Sequence, residues 1–234
     1  MGPLSMLTFR RNWIGVLVML VGLTNANVLE AGCRNSPRPG VDWSGCRKRS
    51  KVLRHFDLTG ATFARADLSR TNFQSAKMSN VDLSKANLTR AHLLRADLSK
   101  ANMVKAFGMR ANLSEAILRH ANLSKVEFFR TKLMAADLSG ANLKGAQLSR
   151  ADLTAANLDA VDARHANLSR ATLASASLDR TNLENAYLYR TDLRGVDLTA
   201  ALGLTEFQLR GACGDAETKL PAGLRPPNEW PCRS

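Results

Sequence analysis

The sequence repeats every five residues over most of its length. Blocks such as Ala66-Asp67-Leu68-Ser69-Arg70 and Ala166-Asn167-Leu168-Ser169-Arg170 follow one another without insertion from residue 56 to residue 200. An α-helix repeats its apolar face about every 3.6 residues and a β-strand about every 2, so a strict period of five fits neither. The chain must therefore turn a corner once in each block, as coiled repeat proteins do.

Two positions of each block are apolar and differ in size. Of the 29 blocks, 27 have Leu, Phe or Met at the third position, and the exceptions are Gly108 and Ala163. The first position is Ala, Thr or Val in every block except the one that begins at Phe56. One large and one small apolar side chain per block suit the interior of a narrow coil. The second position is Asp or Asn in 18 blocks, and these residues bond to nearby backbone groups at turns.

Arginine recurs every twenty residues and indicates how many blocks make one turn of the coil. Arginine occupies the fifth position in all seven blocks that end at residues 70, 90, 110, 130, 150, 170 and 190. It occupies the fifth position in only three of the other 22 blocks. An enrichment at twenty, and not at ten or fifteen, predicts a coil with four sides. The seven are Arg70, Arg90, Arg110, Arg130, Arg150, Arg170 and Arg190, and the same spacing reaches Arg210.

With this pattern the chain resembles the pentapeptide-repeat family, whose motif is A-(D/N)-L-X-X. The resemblance covers about 145 of the 234 residues. It implies an all-β solenoid, a right-handed quadrilateral β-helix with four pentapeptides per coil, but no single activity. The best-known members protect DNA topoisomerases by resembling DNA with an acidic surface. The net charge of +13 argues against that role here.

Residues 1–26 have the pattern of a secretory signal peptide. Arg10 and Arg11 precede an apolar run from Trp13 to Leu23, and Thr24-Asn25-Ala26 matches a small-x-small cleavage pattern. We expect a periplasmic or secreted protein, because the run is short for a transmembrane helix. A membrane anchor formed by an uncleaved signal is the alternative. The paired arginines also resemble a twin-arginine signal, for which a basic segment is the simpler explanation.

All four cysteines lie outside the repeats, two on each side. In an exported chain this favours disulfides. Three connectivities can be drawn, and the local one is favoured because the repeats separate the two ends. A zinc site is disfavoured, since there is no CxxC motif and no cluster of histidines. The favoured pairs are Cys33 with Cys46 and Cys213 with Cys232.

Residues 27–55 and 201–234 are expected to close the two ends of the repeats at 56–200. The first segment combines a basic stretch with a degenerate first coil, in which Trp43 keeps the phase and Lys48 breaks it.

The segment after the repeats is expected to form a short helical cap and then a Pro-rich arm. Thr205 and Gln208 have the spacing of a capping box. We expect Leu204, Phe207 and Leu209 to turn onto the last coil, and the prolines after Leu220 to keep the arm extended. Similar tails follow the repeats in some bacterial members of the family.

The sequence contains no catalytic constellation. The four histidines fall on outward positions, and most Asp residues occupy the second position of a block, where turn bonding explains them. There is no phosphate-binding loop, nucleophile elbow or metal-ligand spacing. The sequence therefore predicts a non-enzyme, with no catalytic residue, metal, cofactor or small-molecule substrate.

Positive charge is concentrated toward the N-terminal end. Residues 27–55 contribute +5, residues 56–200 contribute +6, and residues 201–234 contribute zero. A second basic column precedes the arginines by one block, and outward aromatics such as Phe107 are predicted between the two columns. The alternative is that Phe107 or Met109 turns inward to fill the space left by Gly108. The second column is Lys85, Lys105 and Lys125, continued by Arg65.

These features predict a rigid extracytoplasmic scaffold or protein-interaction module. The alternative is a cationic binder of anionic envelope components or other polyanions. The partner is an unspecified protein or an anionic envelope component; a membrane surface also fits the charge, and nucleic acid is not expected outside the cytoplasm. The candidate surface is formed by the seven arginines from Arg70 to Arg190 with Lys85, Lys105 and Lys125, unless this column is only a solvated edge.

Overall fold

The computed structural model describes residues 32–230; the expected signal peptide at 1–26 and Cys232 lie outside them. Each block contributes one residue that bridges to the neighbouring coils, followed by a turn. The bridges are parallel and join residues twenty apart, from Asp42 with Thr62 to Asn182 with Leu202. Because twenty residues contain four blocks, each turn of the coil has the four sides that the arginine spacing predicts.

Backbone hydrogen bonds at the second position hold successive coils together. The Asp82 N–H donates to the Ala61 carbonyl at 3.0 Å, and the Asp82 carbonyl accepts from the Phe63 N–H at 2.7 Å. A further bond lies at the corner, where the Lys85 N–H donates to the Val104 carbonyl at 2.9 Å. Paired strands lie about 4.8 Å apart, so equivalent residues of successive coils form straight columns along the rod.

Each corner is a β-turn that the backbone and the second-position side chain close together. The Ala86 N–H donates to the Leu83 carbonyl at 3.0 Å. Lys85, the third residue of this turn, has a φ of 58°, and type II turns require a positive φ there. Asp82 Oδ1 accepts from the Ser84 N–H at 2.9 Å. This bond recurs at most corners and confirms the turn-stabilising role predicted for second-position Asp and Asn.

First-position and third-position side chains fill the interior. Leu138, Leu143, Leu148 and Leu153 lie on the four successive sides of one coil, and each is at most 1% exposed. Small and large apolar columns alternate around the coil, so the core is a stack of ladders. The burial of these leucines confirms the inward role predicted for the third position.

Gly108 is an exception in the leucine ladder, and its neighbour in the next coil fills the space. A Cβ on Gly108 would lie 2.5 Å from Phe128 Cε1. Phe107 and Met109 therefore have no void to occupy and remain 43% and 46% exposed. The alternative that one of them turns inward is wrong.

At the N-terminal end the coil continues through Lys48, where the sequence predicted a break in the frame. The Lys48 N–H donates to the Asp67 carbonyl at 2.8 Å, as a third-position residue should. Its Nζ lies 3.9 Å from the ring centroid of Trp43. A lysine keeps the phase here because its ammonium lies over an aromatic face in the first coil and not between two apolar layers. Burial, with a smaller contribution from Lys51, lowers the pKa of Lys48.

Cysteines lie at both ends of the rod. Cys33 and Cys46 are joined as a disulfide with Cα atoms 5.5 Å apart. Beside them, Trp43 Nε1 donates to the Asn35 carbonyl at 3.2 Å. Cys213 is also disulfide-bonded. Because Cys232 lies outside the described residues, the second pairing stays a prediction, as does oxidation of both pairs in the cell.

A short helix, α1 (Glu206–Arg210), takes the place of one side of the last coil. The Thr205 N–H donates to Gln208 Oε1 at 3.0 Å, and the Gln208 N–H donates to Thr205 Oγ1 at 3.4 Å. Leu209 is buried, but Phe207 is 82% exposed. The prediction that Phe207 turns onto the last coil is wrong, because a helix this short presents only one face to the coil and Leu209 occupies it.

Beyond α1 the chain returns to the coil. Cys213 bridges to Asp192, and Lys219 bridges to Asp197. Trp230 Nε1 donates to the Ala212 carbonyl at 3.0 Å, so the predicted extended arm folds back across the last coil. Within residues 32–230, no helix is long and apolar enough to cross a membrane.

Candidate binding surface

Seven arginines form a straight line along one corner of the rod. Each occupies the fifth position of its block with a φ between 54° and 59°. All are exposed, and neighbours in the line are one coil apart, about 4.8 Å at the backbone. Arg210 leaves the line because it lies in α1. We call this line the arginine edge; its members are Arg70, Arg90, Arg110, Arg130, Arg150, Arg170 and Arg190.

A second basic line occupies the preceding corner. It has the same backbone conformation, with φ of 57° or 58°, and its side chains are also exposed. We call it the lysine edge, and the side of the rod between the two edges the cationic face. The lysine edge is formed by Arg65, Lys85, Lys105 and Lys125.

The arginine edge makes no ion pair within the described part of the chain. Arginines on other edges do: Arg95 Nε lies 2.7 Å from Glu115 Oε2, and Arg194 Nη2 lies 2.7 Å from Asp192 Oδ2. On the arginine edge, the Arg190 guanidinium lies 5.8 Å from the Tyr189 ring centroid, a distant cation–π contact. The guanidinium donors of this edge therefore face solvent and remain available to an anionic partner.

Apolar side chains lie exposed on and beside the cationic face. Phe107, Met109 and Phe129 are 43%, 46% and 37% exposed, and the last two directly precede members of the arginine edge. Toward the N-terminal end, Arg70 and Arg90 line a groove of about 560 Å³. Aromatic residues and arginines together are enriched in protein interfaces.

Comparison with known proteins agrees with this geometry. The family profile described as pentapeptide repeats matches 8 copies, in residues 52–84, 76–107, 91–128, 109–145, 131–170 and 166–202. The chain belongs to the pentapeptide-repeat family. The fold is accordingly the family's right-handed quadrilateral β-helix. No curated protein matches the chain significantly.

Several solved pentapeptide-repeat structures are similar to this chain. A trypsin-treated form of QnrB1, a plasmid-mediated fluoroquinolone resistance protein, is 19% identical over 80% of this chain and 90% of its own, with a TM-score of 0.52. HetL, from Nostoc sp. strain PCC 7120, is a pentapeptide repeat protein involved in the regulation of heterocyst differentiation. It is 27% identical over 86% of this chain and 97% of its own, with a TM-score of 0.43. The likeness to QnrB1 concerns the fold alone.

In this pentapeptide-repeat protein most of the described aspartates are engaged in turns or ion pairs. A hydrogen bond from Arg164 is the main cause that lowers the pKa of Asp162, and bonds from Thr199 lower the pKa of Asp197 to about 2. In every described carboxylate whose pKa departs from its usual value the pKa is lowered, by hydrogen bonds within turns or from a neighbouring arginine or lysine. Within residues 32–230, no group of three or more His, Cys, Asp or Glu could hold a metal ion.

The structure brings the ten predicted binding residues onto two adjacent corners of the rod and places the described cysteines at its ends. Phe207, which the sequence pattern predicts to be turned onto the last coil, is exposed in the structure. The twenty-residue spacing from Tyr187 to Phe207 was a usable signal, because it places Phe207 next in the outward column of Tyr187. The exposed aromatics of the rod therefore continue onto α1.

Proposed function

We propose that this protein is a non-enzymatic binding module whose cationic face holds an acidic protein partner. This proposal rests on one observation. Arginine without an ion-pair partner recurs at the fifth position along one edge, although the backbone does not require arginine there. Ala135 and Ala155 occupy the same turn position with φ of 52° and 56°, and Gly140 does so with φ of 66°. The fold therefore accepts small residues there, and a line of seven arginines needs another explanation.

The electrostatics of the arginine edge favour a partner with negative charge. Two like charges about 4 Å apart in water repel by about 1 kcal/mol before salt screening. An acidic partner would remove this repulsion and add charge-assisted hydrogen bonds to guanidinium groups that otherwise face solvent. The positive sign is also opposite to that of a DNA mimic.

We further propose that the module is an extracytoplasmic scaffold. The signal-peptide pattern of residues 1–26 and the positions of the cysteines support export to an oxidising compartment. A rigid rod with closed ends keeps its outward side chains at fixed relative positions, and this property suits a scaffold.

A second candidate function is binding to anionic envelope components, including an anionic membrane surface. The basic cluster on the first coils favours it, because Val52 is 70% exposed among these cations. Cations beside an exposed apolar side chain suit an anionic lipid surface. The cluster is formed by Arg47, Lys48, Arg49, Lys51 and Arg54.

The test replaces Arg90, Arg110 and Arg130 together with Gln and compares the capture of envelope proteins over a series of salt concentrations. A matched control replaces Arg95, Arg119 and Arg180 with Gln, which removes the same charge from other edges. We expect the first variant to lose capture and salt dependence, and the control to keep both. Equal capture by the parent and the first variant at every salt concentration would contradict the proposal.

Vesicles separate the two candidates. Anionic vesicles that bind the parent and both triple variants equally, but fail to bind a variant with Arg47, Arg49 and Lys51 replaced by Gln, would support the second candidate. Retention of envelope proteins by that same variant would support the first.

A further inference from the structure

Exposed aromatic residues cluster at the C-terminal end of the arginine edge. Tyr187, Tyr189 and Phe207 are 66%, 57% and 82% exposed. They line one groove of about 470 Å³, together with Arg210 and Gly211. We call it the aromatic groove. An exposed apolar cluster of this kind is typical of an interaction site.

The backbone on both sides of the aromatic groove is anchored. Gln208 Nε2 donates to the carbonyls of Leu183 and Ala186 at 2.8 and 3.0 Å, which ties α1 to the coil below. Leu209 is buried beneath the helix, so Phe207 is carried outward. On the opposite wall, Tyr189 packs over Gly211, where an added Cβ would lie 3.3 Å from Tyr189 Cδ2. A site built on anchored backbone loses little conformational entropy when it binds.

The rim of the groove is positive. Arg210 lines the groove, and the Arg190 guanidinium lies 5.8 Å from the ring centroid of Tyr189. Neither arginine makes an ion pair within residues 32–230, and no carboxylate is among the lining residues. A second copy of this chain is a poor occupant, because a two-fold contact centred on the groove would bring the arginines of one copy close to those of the other. An acidic ligand with an apolar group matches both the rim and the walls.

We infer that the aromatic groove is an anchor site for an acidic segment of a protein partner that carries an aromatic side chain. The inference rests on the proposed function and adds to it the position of the bound segment along the arginine edge. The arginine edge repeats with every coil, so an acidic segment could shift along it by one coil and still contact arginines in the same way. Within residues 32–230 the aromatic groove occurs once, at one end of the rod, and it would fix both the position and the direction of the bound segment.

The test is an array of acidic peptides, rich in Asp and Ser, in which one central position is varied through all twenty amino acids. The full-length protein is the probe. We expect central Trp, Tyr or Phe to raise affinity about tenfold over Gly, the contribution of a well-placed aromatic anchor. Phe207→Ser should abolish this preference. Ile117→Ser removes an exposed apolar side chain from another side of the rod and should leave the preference intact.

The outcomes separate the inference from the proposed function. A flat profile, or an aromatic preference that survives Phe207→Ser, overturns the inference even if all the peptides bind through the arginine edge. If the peptides bind independently of salt and of the triple replacement at Arg90, Arg110 and Arg130, the proposed function is overturned. Sedimentation of the parent supplies a further check, since self-association that Phe207→Ser abolishes would assign the groove to a second copy and overturn the inference.

Discussion

Two corners of the same rod place arginine in the same backbone conformation but give it different neighbours. Arg90 and Arg95 end consecutive blocks, and both have a φ of 57°. Arg95 faces Glu115 one coil later and pairs with it at 2.7 Å. Arg90 faces Arg110 one coil later and makes no ion pair within the described residues. One corner neutralises its own charge, and the other accumulates charge.

The difference shows that the fold leaves the outward positions free. Gly, Ala, Ser, Asn, His, Glu, Lys and Arg all occupy the fifth position, whereas the third position is almost always Leu, Phe or Met. Stability is therefore concentrated inside the coil, where each side chain is buried. The fold alone does not account for a sequence preference that persists on one outer corner, and the proposed function rests on that preference.

Substitutions at inner and outer positions should differ most in their effect on stability. Leu148 and Arg150, which lie in one block, provide the comparison. Leu148 is fully buried, and Leu148→Ala should lower the free energy of unfolding by about 2–5 kcal/mol through lost burial and a cavity. Arg150→Ala should change it by less than about 0.5 kcal/mol, because the side chain is exposed. Denaturant unfolding measures both. Equal stability of the two variants would contradict the division between inner and outer positions.

A second prediction concerns Gly108, where the inner ladder departs from its pattern. Gly108→Leu restores the common residue but should destabilise the protein by about 1–3 kcal/mol, because Phe128 already fills the space. The double variant Gly108→Leu, Phe128→Leu should recover most of that loss. Thermal unfolding of the single and double variants tests the pairing. A single variant as stable as the parent would show that Phe128 leaves room at Gly108.

Most of the coil could be predicted from the sequence because the same constraint recurs in every block. A single residue that departs from the pattern hardly affects the prediction, because the residues of many other blocks indicate the same phase of the five-residue repeat. The ends depend on contacts that occur once. Lys48 keeps its position through the face of Trp43, and Trp230 folds back onto Ala212. No periodicity predicts such contacts.

The candidate surface was predictable to a similar extent. A spacing of twenty places the arginines on one corner and makes their exposure certain once the coil has four sides. Whether Phe107 faces inward depended on how Phe128 packs beside Gly108, and this is a matter of side-chain volume in three dimensions. The aromatic groove depended on α1, whose five residues take the place of a side that the repeat pattern would continue.

A third prediction uses acid to distinguish the paired edges from the arginine edge. Bonds from Thr199, with Lys219 adding to them, lower the pKa of Asp197 to about 2. A folded-state pKa below the unfolded value of about 3.9 contributes stability above pH 4 that is lost as the pH falls toward 2. Asp197→Asn keeps an acceptor for the Thr199 N–H but does not titrate.

Melting temperatures between pH 7 and pH 2 should therefore fall less steeply in Asp197→Asn than in the parent. The triple replacement at Arg90, Arg110 and Arg130 serves as control and should leave the parent's slope over this range unchanged, because arginine does not titrate there. Identical slopes in Asp197→Asn and the parent would show that this carboxylate does not contribute to the acid sensitivity.

The smallest effect, and the one closest to the comparison between the two corners, is the response of stability to salt. Replacing Arg90, Arg110 and Arg130 with Gln should change the free energy of unfolding by less than about 0.5 kcal/mol at physiological salt, because these side chains are exposed and the repulsion among them is screened. At low salt the triple variant should be the more stable protein, since the like charges about 4.8 Å apart are gone. Arg95→Gln should instead be less stable than the parent at low salt, because it loses the attraction of Glu115 and that attraction weakens as salt is added.

If the parent and the triple variant melt together at every salt concentration, the guanidinium groups already avoid one another, and relief of repulsion would no longer favour an acidic partner. Hydrogen bonds to that partner would then have to supply the affinity alone.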